Sequence, residues 1–129
     1  MPQIVLFLDE KARNMIVPDT FEDLGIVLIE AVEAAFGIKG HNDVAFDVIA
    51  PLFTKNESHV QIEVRYTAGK DEYGTGSVFD PNEATRTLAI TQIRTAFMEF
   101  LHVHGIDLIS PSVWIRPHYN STFSPGVAD

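Results

Sequence analysis

The sequence predicts an α+β fold: two consecutive β-α-β units forming a four-stranded sheet with two helices on one face. Three observations carry this. Residues 3–8 are apolar on both faces, with Ile4, Leu6 and Leu8 pointing one way and Val5 and Phe7 the other, as in a strand buried on both sides. Strand, helix and strand patterns follow in that order twice, with no linker between the halves, so all 129 residues read as one domain. Each helical stretch is long enough to cross over between parallel strands. Two helices on one face leave the other uncovered, although the strands are apolar on both sides. Other copies of the chain are expected to bury it.

The first strand gives way to residues 9–14, which are polar and read as a loop. Val17-Pro18-Asp19-Thr20-Phe21-Glu22-Asp23 reads as a helix start. Asp19 or Thr20 can cap the free amides, and Glu22 or Asp23 can complete a capping box. Phe21, Leu24, Leu28, Ala31 and Ala35 fall on one face of this helix, and Gly37 ends it. A second strand covers residues 43–50, up to Pro51. The clearest alternation is at 59–67, with Val60, Ile62, Val64 and Tyr66 on one side and Gln61, Glu63 and Arg65 on the other. Residues 68–79 hold three glycines and read as an extended connecting loop. Asp80-Pro81-Asn82-Glu83 opens the second helix, with Asp80 as cap and Pro81 at the first helical position. That helix should run to about His104, with Ile90, Ile93, Phe97 and Leu101 as its stripe. A last strand at 112–116 sets Val113 and Ile115 against Trp114 and Arg116. Pro117 is expected to break it.

Composition narrows the function classes. The chain is 46% hydrophobic and 21% charged, enough apolar residues to bury a core. Nine Lys and Arg against 18 Asp and Glu leave a net charge of −9, which argues against nucleic acid or an anionic membrane as the main partner. With no cysteine, disulfides, thiolate chemistry and Cys-based zinc sites are excluded. There is no long apolar run and no basic start leading into one, so a soluble, cytoplasmic protein is expected. The five histidines show no ligand spacing, and His102 and His104 point to different helix faces, so no metal site is expected. No phosphate-binding glycine motif or Ser-His-Asp arrangement is visible, and no cofactor is expected.

Chemistry enters at the start of the chain. If Met1 is trimmed, Pro2 exposes a secondary amine at the head of a buried strand. An α-amino group titrates near about 7.7–8.0, and desolvation lowers the pKa of such a cation. The amine would then be an unprotonated base at neutral pH. The competing reading is that Met-Pro is an ordinary start, in which a retained Met1 leaves the proline nitrogen as an amide.

The order of elements resembles the tautomerase superfamily, most closely its macrophage migration inhibitory factor branch. Local matches are Pro2, Val17-Pro18-Asp19 with Phe21, Lys39 followed by Val44-Ala45, and Asn120-Ser121-Thr122-Phe123. The resemblance implies two β-α-β units, a homotrimer and an amino-terminal proline as catalytic base. Carried over by position, Pro2 is the base and Lys39 a cation lining the pocket. Arg65 stands where the branch has an apolar pocket residue. Trp114 and Arg116 stand where it has a tyrosine and an asparagine supplied across a subunit boundary.

These departures make the pocket more cationic and favour a small acidic substrate over phenylpyruvate-like enols. A base poised near neutrality, with cations where an enolate oxygen develops, is what proton transfer beside a carbonyl requires. Arginine can also clamp a carboxylate through two parallel bonds. Each residue has a plainer role open to it: Lys39 as a solvated turn residue, Arg65 paired with a neighbouring carboxylate, Arg116 as a strand-end charge, Trp114 as packing. The expectation is a cofactor-independent keto-enol tautomerase or isomerase acting on a small 2-oxo or 2-hydroxy unsaturated carboxylate. The alternatives are a decarboxylase or hydratase using a protonated proline, and a non-enzymatic binding or signalling protein on the same fold.

Overall fold

The computed structural model describes residues 2–37, 44–50, 59–68, 81–108 and 110–119. Four strands, β1 (Gln3–Leu8), β2 (Ala45–Ile49), β3 (Val60–Ala68) and β4 (Ser112–Tyr119), form one sheet in the order β2-β1-β3-β4. β1 is parallel to β2 and β3 to β4, while β1 and β3 are antiparallel. Two β-α-β units joined at a central antiparallel seam give this order. The crossovers hold α2 (Phe21–Phe36) between β1 and β2, and α3 (Glu83–Val103) between β3 and β4.

Alternation along the strands assigns the two faces. Ile4, Leu6 and Leu8 of β1 and Val60, Ile62 and Val64 of β3 are buried with Leu24, Leu28 and Val32 of α2 and Ala89, Ile93, Phe97 and Leu101 of α3. Each fully buried Leu, Ile or Phe contributes about 1.5–3 kcal/mol, so this helix-covered face supplies most of the stability. The face without helices carries Gln3, Val5 and Phe7 opposite Arg65, Glu63 and Gln61. Trp114 and Arg116 lie beyond them on β4.

Several local expectations are corrected. Residues 9–14 form no loop: Glu10–Met15 is a short helix, α1, because the Asp9 side chain caps it, accepting from the Ala12 amide at 2.8 Å. The other carboxylate oxygen of Asp9 lies 2.6 Å from His59 Nδ1, joining α1 to the start of β3. Desolvation raises the Asp9 pKa, but the Ala12 amide and His59 outweigh it and hold the carboxyl below its ordinary range. Thr20 precedes α2 without a side-chain cap, its hydroxyl donating instead to Val17 O at 2.8 Å. Asp80 lies outside the described residues, and the observed cap of α3 is Asn82, which accepts from the Thr85 amide. Pro117 does not end β4, which continues to Tyr119. As the edge strand beside β3, β4 has a free side on which a missing N–H costs no ladder bond.

α2 packs closely on β2 at one point. A Cβ added at Gly25 would lie 2.9 Å from Phe46 Cδ2. Alanine gains up to about 1 kcal/mol of helix propensity over glycine. Overpacking typically costs about 1–3 kcal/mol, so Gly25→Ala is expected to lower the denaturant midpoint, and the loss should shrink in a Phe46→Leu background.

No helix among the described residues is long and apolar enough to cross a membrane.

Candidate active site

Pro2 stands at the head of β1 and is buried. Its carbonyl accepts from the Ala45 amide at 3.1 Å, tying it to the first residue of β2. Because β2 is parallel to β1, the two strands start at the same end of the sheet. Lys39 lies outside the described residues. On the other side, the antiparallel register carried one residue beyond Gln3–Arg65 sets Pro2 beside Tyr66. Tyr66 is buried on the helix-covered face, its ring 6.0 Å from that of Phe36 near the end of α2. Topology thus places the proline where β2 begins and β3 ends, with an aromatic side chain at its flank.

The three other candidate residues come together on the opposite face. Arg65 and Arg116 are direct partners in the parallel β3–β4 register, as are Glu63 and Trp114. Two like charges opposite each other on neighbouring strands repel. Glu63 resolves this. It is 5% exposed, and both of its oxygens are engaged. Arg65 donates to Oε2 from Nε at 3.0 Å and from Nη2 at 2.7 Å, while Arg116 Nε donates to Oε1 at 2.7 Å and Gln61 Nε2 to the same oxygen at 3.0 Å. Burial raises the pKa of this carboxyl, but the hydrogen bonds and charges of the two arginines outweigh it and hold it below its ordinary value.

The guanidiniums also rest on aromatic rings. Arg116 lies 4.9 Å from the Trp114 ring centroid, and Arg65 lies 5.8 Å from that of Phe7. Arg65 starts opposite Gln3 and reaches Phe7, so its side chain runs along the sheet away from Pro2. In the single chain both arginines therefore turn to Glu63, and for Arg65 this is its plainer role, the pairing with a neighbouring carboxylate. β4 is separated from β1 by β3, so Trp114 and Arg116 lie roughly 10 Å from β1 at ordinary strand spacing.

Glu63 is the residue that sequence reasoning passed over. Its alternation with Gln61 and Arg65 was visible. Its burial depends on Arg116 arriving from a strand later in the chain, 53 residues on. An open groove of about 590 Å³ lies elsewhere, between α3 and Ser110, lined by Arg94, Met98, Glu99 and His102 among others. None of the candidate residues line it.

No family model and no curated protein matches the chain. Solved structures do. A fused 4-OT wild-type asymmetric trimer matches with a TM-score of 0.63 at 15% identity, over 96% of this chain and 92% of that one. A malonate semialdehyde decarboxylase matches with a TM-score of 0.59 at 12% identity, over 98% and 92%. Pt0534 inactivated by 2-oxo-3-pentynoate matches with a TM-score of 0.57 at 11% identity, over 91% and 85%. At such identities the likeness is one of fold. The chain has the tautomerase-type fold that its sequence resemblance implies.

Proposed function

We propose that the chain is a cofactor-independent enzyme that moves a proton beside the carbonyl of a small 2-oxo or 2-hydroxy unsaturated carboxylate, with Pro2 as general base once Met1 is removed. The observation that carries this is the position of Pro2: buried, at the head of a central strand, and hydrogen-bonded to the first residue of β2. A secondary amine there loses solvation on protonation, which favours the free base. Lys39 supplies positive charge toward the developing enolate oxygen, and Arg65 and Arg116 bind the carboxylate, with Trp114 as an aromatic wall. The test is turnover of an enolisable 2-oxo carboxylate by protein whose mass shows that Met1 is absent. Inactivity of that protein toward a panel of such acids would count against an enzymatic role.

The distance from β1 to β4 supports a shared site. Trp114 and Arg116 act on the Pro2 of a neighbouring copy in a homotrimer whose helix-free sheet faces line its centre. Sedimentation equilibrium should give three times the chain mass at micromolar concentration. Mixing inactive Pro2→Ala chains with weakened Arg116→Ala chains should then raise activity above that of the Arg116→Ala chains alone, because some sites receive both intact residues. A stable monomer, or mixtures that show no such gain after subunit exchange, would refute the shared site.

One observation favours a second reading on the same scaffold. Glu63 engages both arginines, which leaves less unpaired positive charge to keep Pro2 deprotonated. A protonated proline would instead support decarboxylation or hydration, and malonate semialdehyde decarboxylase is among the proteins of like fold. The ionisation of Pro2 separates the two readings.

A further inference from the structure

Glu63 belongs to no step of the chemistry proposed above, yet both of its carboxylate oxygens are held by hydrogen bonds. A carboxylate on the uncovered face of a sheet ordinarily stays in water. This one is buried and accepts four hydrogen bonds, three of them from guanidiniums. The geometry of those three bonds is informative. Arg116 uses only its Nε, and Arg65 uses Nε and Nη2. Both cations are therefore gripped along their inner edges. Arg65 Nη1 and both terminal nitrogens of Arg116 have no hydrogen bond to other described residues, and the two side chains are 47% and 50% exposed. Phe7 and Trp114 support the guanidinium planes. The pair carries two positive charges against one negative, so a net positive charge remains with its donors turned outward.

We infer that Glu63 is a positioning residue that locks Arg65 and Arg116 into one pre-set clamp, whose outer nitrogens take a single carboxylate group of the substrate. The inference rests on the acidic-substrate reading and specifies how that site recognises charge. Without Glu63 the arginines would repel and each would sample many rotamers, so binding an anion would first require ordering both. With Glu63 in place that ordering is complete in the resting protein, which is how preorganisation raises affinity. The remaining single positive charge matches one carboxylate, so a monocarboxylate fits better than a dicarboxylate. The backbones of Arg65 and Arg116 lie in the row of Gln3, at the end of the sheet where Pro2 stands, while their guanidiniums reach inward over Phe7 and Trp114 on the helix-free face.

The experiment compares wild-type and Glu63→Gln proteins on an enolisable 2-oxo carboxylate and on its methyl ester. Glutamine keeps the shape but cannot accept from both arginines and turns an NH₂ toward one of them. The expected result is a KM for the acid raised about tenfold or more, with kcat little changed and the ester unaffected, as for loss of one charge-assisted contact. A KM for the acid that falls would overturn the inference, because it would make Glu63 a competitor that masks the arginines. An equal loss on acid and ester would also overturn it, by showing a merely structural role.

Should Glu63→Gln fail to fold, arginine nitrogen spectra of the wild-type protein with added pyruvate provide the same decision. The Nε–H signals of Arg65 and Arg116 should persist while their outer nitrogens shift. Loss of the Nε–H signals, or no response to pyruvate, would refute the clamp. Wild-type turnover that is abolished by blocking Pro2 secures the underlying reading separately. Failure of the Glu63 test then falls on this inference alone.

Discussion

Protein that retains Met1, or whose Pro2 nitrogen is acylated, is expected to lose turnover by at least about 10²–10⁴-fold, the usual contribution of a positioned general base. An amide nitrogen has no lone pair available for a proton. Pro2→Gly keeps an amino terminus but loses the rigid secondary amine, so it should be impaired without unfolding.

The pH dependence has a definite sign. Burial disfavours the charged amine, so its pKa should fall below the ordinary α-amino value and activity should rise with pH through one ionisation below about 7.7. Burial must do this largely without the arginines, since both are turned to Glu63. A pH–rate profile beside nitrogen-labelled proline titration of the trimmed protein measures both quantities. A proline titrating above about 9 would replace the base with the protonated proline of the decarboxylase or hydratase reading. Activity surviving a blocked amino terminus would remove Pro2 from the chemistry.

Arg116→Ala carries the second largest expected effect. A charge-assisted contact to a substrate carboxylate in a partly desolvated site is worth about 1.5–3 kcal/mol, or roughly 10–150-fold in kcat/KM. The loss should appear with an acidic substrate and be small with its neutral ester. Equal losses would mean that Arg116 does not bind the carboxylate.

The same substitution should also change stability in a pH-dependent way. Glu63 titrates below its ordinary value of 4.5 partly because Arg116 faces it. A depressed carboxyl pKa contributes stability that is present above the unfolded value and lost as pH falls through the folded one. Removing Arg116 lets the folded pKa rise, which shrinks that contribution at neutral pH. The melting temperature of Arg116→Ala should therefore lie below that of wild type near pH 7, and the gap should close as the pH falls through the Glu63 titration.

Much of this arrangement was legible in the residues. The two-sided apolar pattern of 3–8 predicted β1 with its observed bounds, and the repeated strand–helix–strand order predicted two β-α-β units. Local rules failed where two signals competed. Residues 9–14 are polar enough for a loop, but a single side-chain bond from Asp9 to the Ala12 amide turns them into a helix. Pro117 reads as a strand breaker until β4 is seen to be an edge strand. The proteins of like fold reported above include a fused 4-OT and malonate semialdehyde decarboxylase, at 15% and 12% identity, so the likeness is one of fold.

By itself the sequence determined the periodicities, the faces of each strand and the place of Pro2 at the head of the first one. These depend on neighbours a few residues apart, where alternation and helical spacing act directly. The tertiary structure alone decided what the charged residues do. Arg65 and Arg116 are fifty-one positions apart in the chain, and only the parallel register of β3 and β4 sets them opposite each other. That register creates a like-charge repulsion, which is relieved by burying Glu63 between them. Pairing across strands is set by the packing of the whole sheet, which is why Arg65, whose plainer role is to partner a neighbouring carboxylate, and Arg116, whose plainer role is that of a strand-end charge, form one network with Glu63 in the fold.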